Sequence, residues 1–188
     1  EVTDLNATPF ADTGFQAGNA GDTVRLGDTP IKEMPIPVTA VTKDVLKSQS
    51  LRSASDAVWN VAGATVVDSG VPGGKTFTIR GFDTSGATTV NGNSAGRLFS
   101  PPVDALERVE VLKGPTSIAA GDSAEGGLVN YVVNTADTSK IDAAASGLIG
   151  STKNSHGEVN YAAKAMINVP LIADKLAVRL VALQRFDA

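Results

Sequence analysis

The chain has 188 residues, 16 Lys and Arg against 20 Asp and Glu for a formal charge of −4, no Cys and one His. That length supports the core of one ordinary domain plus a fragment, and two full domains would be a squeeze. Dispersed cations in a net acidic chain argue against a nucleic-acid partner, and the lack of Cys excludes disulfides, thiolate zinc sites and thiol nucleophiles. The sequence opens on Glu1 without a basic-then-apolar leader, so a signal segment is expected to have been removed or to lie outside it. No apolar run approaches the roughly 20 residues of a membrane helix, whereas membrane β-strands, with their weaker alternating signal, stay open.

Residues 1–27 are Gly, Ala, Asp, Thr and Asn with scattered apolar side chains, too few to offset ordering entropy, and predict a flexible lead. Ile36 to Thr42 predicts a short strand, kept at a sheet edge by Pro35 and Pro37, and Lys43 to Ser50 a helical turn. Ser53 as N-cap with Asp56 three residues on, followed by Ala57, Val58 and Val61 on the face of Ala54, predicts a short amphipathic helix stopped at Gly63. Five β runs follow between Gly-, Ser-, Asp- and Pro-rich clusters: Ala64 to Val67, Thr76 to Phe82, Thr88 to Val90, Arg108 to Leu112 and Leu128 to Val133. These make a small mixed α+β domain over residues 28–137.

Beyond residue 138 the pattern lengthens into strands near Ala143 to Thr152, Glu158 to Val169 and Leu176 to Phe186. Glu158, Asn160, Lys164 and Asn168 fall on one face, with Val159, Tyr161, Ala163, Ala165 and Ile167 on the other. Leu176, Val178, Leu180, Ala182 and Phe186 oppose Arg179 and Arg185, and Pro170 to Asp174 is the connection of a hairpin. Arginine opposite an apolar stripe fits a barrel strand between a wet lumen and lipid, but a soluble sandwich alternates in the same way, and periodicity leaves both open.

Enzymatic readings find little support. Ser69 to Thr76 comes within one residue of a phosphate-binding loop, yet its first Gly is Ser69 and its Lys75-Thr76 runs into a strand instead of a helix N-terminus. His156 lies between Ser155 and Gly157 in a predicted loop, and no Ser-His-Asp grouping is implied. Carboxylates remain the only ready metal ligands, so no protein-bound metal or cofactor is expected.

Three stretches in order resemble the plug of TonB-dependent outer-membrane receptors, the siderophore branch above all. They are Asp28 to Thr42, Phe77-Thr78-Ile79-Arg80-Gly81-Phe82 with Val90-Asn91-Gly92, and Leu106 to Pro115 with Gly126-Gly127-Leu128-Val129-Asn130. The chain departs from the pattern at Ala119-Ala120-Gly121 and at Val132 to Thr135, and it has no clear TonB box. The resemblance implies an α+β plug followed by antiparallel strands of an incomplete transmembrane β-barrel in the bacterial outer membrane, with residues 1–27 in the periplasm. It implies a transporter and no enzyme: the plug gates the barrel and floors the site of a ferric siderophore, whose iron arrives chelated. Cobalamin, haem or glycan receptors of the same family, or a soluble β-rich binding module, are the alternatives.

By the same resemblance the outward loops are Asp68 to Gly74, Asp83 to Gly86 and Ala95 to Phe99. Arg97 is then the candidate for an anionic chelate and Phe99 for apolar contact, with Ser85 and Gly86 beside them. Arg80 and Lys113, expected on adjacent strands, would hold the plug to carboxylates of its own barrel through charge-assisted hydrogen bonds. Val2, Thr3 and Leu5 are the candidate contact for the TonB energy-transducing protein in the periplasm. Lipid is the remaining partner.

Overall fold

The computed structural model describes residues 15, 17–18, 30–51, 53–68, 70, 74–84, 87–95, 100–116, 125–151 and 159–186. Contacts divide the chain into two compact units, Glu1–Val133 and Asn134–Ala188.

In the first unit β1 (Val38–Thr42), β5 (Thr88–Val90), β6 (Asn93–Ser94), β7 (Leu106–Lys113) and β8 (Gly127–Val133) form a five-stranded sheet in the order β1-β7-β8-β5-β6. Only β5 and β8 pair in parallel; the other neighbours are antiparallel. β1 does lie at the sheet edge, directly after Pro37, which has no N–H to give a ladder. β2 (Ala64–Asp68), β3 (Lys75–Ile79) and β4 (Phe82–Asp83) form a second, three-stranded antiparallel sheet.

The alternation of β7 and β8 sends Val109, Val111, Val129 and Tyr131 to one face, where they meet Leu46 of α1 (Lys43–Ser48), Ala57 and Val58, and Phe77 and Ile79 of β3. All are buried, and each large apolar side chain contributes about 1.5–3 kcal/mol by leaving water. The opposite face carries a smaller cluster, Ala87, Leu112 and Leu128 with Ile36 and Val38 packed on it. Both faces of the central pair are covered, so its residues are buried almost end to end.

Two expected elements take a different local form. The helix after Ser53 is capped as anticipated, Ser53 Oγ accepting from the Ser55 N–H and Asp56 Oδ2 from the Ser53 N–H, but Ala54–Asn60 is a 3-10 helix. At this length the three-residue period still stacks Ala54 on Ala57 and Ser55 on Val58, so the tighter coil buries the same small side chains. The run Thr76 to Phe82 is two strands. Arg80 (φ 54) and Gly81 (φ 87) turn the chain between Ile79 and Phe82, both positive as a type I′ hairpin requires. Asn91 (φ 48) and Gly92 (φ 75) repeat this between β5 and β6.

The second unit is one antiparallel sheet of β9 (Asp142–Ser151), β10 (Val159–Ile172) and β11 (Leu176–Phe186). Its register puts Tyr161 beside Phe186 and Ile149, and Ile167 beside Leu180 and Ala143, on one face. Asn168 sits beside Arg179, and Ala162 beside Arg185, on the other. Tyr161 and Phe186 stack with ring centroids 5.5 Å apart. The hairpin connection is Ala173–Lys175, shorter than the expected Pro170 to Asp174. Pro170 stays within β10 because the β9 ladder ends at Asn168, and a register shift between Pro170 and Ile172 absorbs its missing N–H.

The sheets of the first unit meet at a close backbone approach. A Cβ on Gly126 would lie 2.5 Å from Phe82 Cβ and 2.8 Å from the Ile79 carbonyl oxygen, and one on Gly127 (φ 140) would collide with the Leu112 carbonyl. Gly126→Ala is therefore expected to destabilise the first unit by about 1–3 kcal/mol through overpacking. A urea midpoint that stays in place would show that the β3–β4 hairpin can move aside.

Candidate functional site

Arg80 occupies the tip of the β3–β4 hairpin, its N–H donating to the Gly63 carbonyl at 2.7 Å and its side chain exposed. Lys113 ends β7 opposite Gly127, with its N–H on the Pro37 carbonyl at 2.9 Å. The expectation of adjacent strands is corrected: β3 and β7 belong to different sheets, and Arg80 is a turn residue. The two cations nonetheless share one region, because Gly126 and Gly127 let the hairpin settle against the start of β8.

Partial burial, and after it the field of Arg80, hold the Lys113 ammonium below the ordinary lysine range. A lysine with a depressed folded pKa binds its proton less readily than in the unfolded chain. Charged Lys113 thus weakens the fold at every pH below that lowered value, and stability recovers as pH rises through the window up to the ordinary lysine value. Among the described residues neither Arg80 nor Lys113 has a carboxylate in ion-pair range.

A second polar constellation was not singled out from the sequence. Arg108 Nε donates to Glu110 Oε1 at 2.7 Å, and Arg108 Nη1 to Glu107 at 2.9 Å. Asn130 Nδ2 donates to Glu110 Oε2 at 3.1 Å, while Asn130 Oδ1 accepts from Thr89 Oγ1 at 2.8 Å and from the Gly92 N–H at 3.0 Å. Glu110 and Asn130 are fully buried. The signal was present as opposite charges two residues apart in β7, a spacing that puts both side chains on one face of a strand.

Other sequence candidates do not converge on chemistry. Lys75 of the near phosphate loop opens β3 and its Nζ pairs with Asp68 at 3.2 Å, while a Gly70 N–H, then Lys75, hold the Asp68 carboxyl low. Val2, Thr3, Leu5, Ser85, Gly86, Arg97, Phe99 and His156 lie outside the described residues. No group of three or more His, Cys, Asp or Glu positioned to hold a metal occurs among the described residues.

A mixed-sheet domain with one cation on a hairpin tip and another at a strand end is thus followed by a separate antiparallel sheet. Residues 30–128, just over half the chain, match the family model of the TonB-dependent Receptor Plug Domain, and the chain belongs to that family. It is 35% identical over 113 residues to a Hemin receptor of Yersinia enterocolitica, covering 56% of this chain and 16% of that protein. It is 32% identical over 136 residues to the Ferric-pyoverdine M114 receptor PbuA of a Pseudomonas strain, covering 68% and 16%. The siderophore receptor PiuA of Acinetobacter baumannii superposes with a TM-score of 0.74 at 19% identity, over 92% of this chain and 23% of that one. These relatives are receptors rather than enzymes, and the chain spans less than a third of their length. The likeness to PiuA extends beyond the plug, so β9 to β11, an open sheet here, share the fold of the strands that follow the plug in that receptor.

Removing the Glu110 carboxylate would take from the buried Arg108 the acceptor of its Nε and leave the half-exposed Glu107 on its Nη1. Glu110→Ala is expected to cost about 3–5 kcal/mol. Chemical denaturation checks this, and a loss under 1 kcal/mol would mean that Arg108 escapes to solvent.

Proposed function

We propose that this chain is the plug and opening barrel strands of an outer-membrane active transporter for ferric siderophores. The plug, residues 28–137, would sit inside the barrel begun by residues 138–188, with residues 1–27 reaching into the periplasm. The observation that carries this reading is the uncompensated pair Arg80 and Lys113 within a domain matching the receptor plug family. A plug in a wide barrel must be held firmly and yet released, and charge-assisted hydrogen bonds to wall carboxylates in a wet interface do both. A wall carboxylate placed there would meet both the Arg80 and the Lys113 cations.

Energy is proposed to come from the TonB protein, drawing on the lead at Val2, Thr3 and Leu5. The Gly- and Ala-rich lead extends at low cost before force reaches the folded sheets. Arg97 and Phe99, with Ser85 and Gly86, are the proposed plug contacts to the chelate, the cation for its negative charge and the ring for its apolar body. Iron enters only inside that chelate, and no resident cofactor is invoked. The similarity to a hemin receptor favours haem as the second reading of the substrate, which leaves the transport mechanism unchanged.

In the full-length receptor Arg80→Ala is expected to raise hydrogen exchange of the plug and alter uptake while the chelate still binds at the outer face. Unchanged exchange and uptake would reduce Arg80 to a surface charge. Deleting residues 1–6 is expected to abolish uptake with binding intact, and uptake that survives would move the TonB contact elsewhere. Arg97→Ala and Phe99→Ala should each weaken chelate binding about tenfold, the loss of one good contact, in a titration of the receptor with ferric siderophores and with hemin. Equal affinities across the variants would remove both residues from the site.

A further inference from the structure

The two compact units are joined at Val133 and Asn134, and an asparagine side chain seizes the chain on either side of that point. In the first unit Asn91 Oδ1 accepts the Val133 N–H at 2.9 Å, while the Asn91 N–H donates to the Tyr131 carbonyl at 3.0 Å. The turn residue is thus hydrogen-bonded to the last two rungs of β8. In the second unit Asn168 Oδ1 accepts the Asp137 N–H at 2.9 Å, and Asn168 Nδ2 donates to the carbonyls of Asp137 at 2.9 Å and Lys140 at 2.8 Å. One donor on Oδ1 and two acceptors on Nδ2 fix which way this amide points, since the flipped group would face like with like. Asn168 is fully buried. The Asp174 N–H, in the β10–β11 turn, adds a bond to the Thr138 carbonyl at 3.3 Å. Asp137 itself accepts from the Ser139 hydroxyl and, at 2.8 Å, from the Ser139 N–H, and these bonds, the hydroxyl's first, hold its carboxyl below the usual range.

Neither asparagine is needed by its own strand ladder. Asn91 could be Gly and still make a type I′ turn, and Asn168 lies on the charged face of β10, where its main chain already pairs with Asp142 and Arg179. What each side chain supplies is a grip on the connecting segment. Between the grips Asn134–Ala136 carry no helix or strand.

We propose that Asn91 and Asn168 are paired clamps that confine any displacement of one unit against the other to the joint at residues 134–136. Strain arriving from the plug side then ends at Val133, and β9 is not peeled from β10, because Asp137 and Lys140 are tied to Asn168, whose main chain pairs with Asp142 at the start of β9. The role in transport rests on the function proposed above; the clamps themselves do not.

The test is amide exchange at Val133 and Asp137, followed by mass spectrometry on the full-length receptor, together with uptake. Asn91→Gly keeps the turn and removes the acceptor, so exchange at Val133 should quicken about tenfold, the scale of one hydrogen bond, with Asp137 and the β7–β8 ladder unchanged. Asn91→Asp keeps the acceptor and should restore protection. Asn168→Ala, or the milder Asn168→Thr should Ala not fold, should quicken exchange at Asp137 by a similar factor and leave Val133 and the β10–β11 ladder as they were. Loss that spreads into either ladder, or no loss at all, overturns the clamps. Local loss at both amides with normal uptake in the double variant retains the clamps as a structural feature and sinks their role in transport. Failure of uptake in the unaltered receptor would sink the transport reading alone.

Discussion

Glu110 is a carboxylate with no exposure to water in an interior strand of the larger sheet, and an ion in that position survives only if each oxygen is answered. Arg108 answers one oxygen and Asn130 the other. The consequence is structural before it is functional. Arg108 reaches Glu110 along β7, Asn130 reaches it from β8, and Thr89 and Gly92 reach Asn130 from the β5–β6 hairpin, so one charge specifies three neighbouring strands and the register between them. An apolar residue in place of Glu110 would pack but would say nothing about which strand lies next to β7.

That rigid centre explains how the plug can hold other charges under less favourable terms. Arg80 and Lys113 sit on a hairpin tip and a strand end brought near each other by the close approach at Gly126 and Gly127, and partial burial, then the field of Arg80, lowers the proton affinity of Lys113. Burial of Glu110 favours permanence; partial exposure of the cation pair favours exchange of partners. The buried group lies on β7 and β8, whereas the more exposed one spans the β3–β4 turn and the end of β7, so one domain holds charges in two opposite environments.

The second unit solves a different problem. Its strands hydrogen-bond one another and offer an apolar face, with the stacked Tyr161 and Phe186 near one end, while Asn168, Arg179 and Arg185 line the other face. Aromatic pairs of this kind suit the boundary between hydrocarbon and headgroups, and charged residues suit a watered lumen.

The amino-acid sequence determined the local units of this protein: the capping box at Ser53 and Asp56, the edge position of β1 after its prolines, the two-residue period of β10 and β11, and a motif set specific enough to name the family. Each depends on neighbours a few residues apart, where sterics and hydrogen bonding act without help from the rest of the chain. Tertiary structure decided what those units meet. The run through Arg80 reads as one strand because its side chains favour β; the reversal at Arg80-Gly81 needs Gly63 to accept the Arg80 N–H from outside the segment. The expectation for Arg80 and Lys113 placed them on adjacent strands, and only the close approach at Gly126 and Gly127 brings a turn residue of one sheet to the strand end of another. Glu110, Asn130, Asn91 and Asn168 read as ordinary polar residues in strands and turns. Their partners lie 20, 38, 42 and 31 positions away, and contacts at such separations are set by how sheets stack and strands cross, which no local pattern encodes.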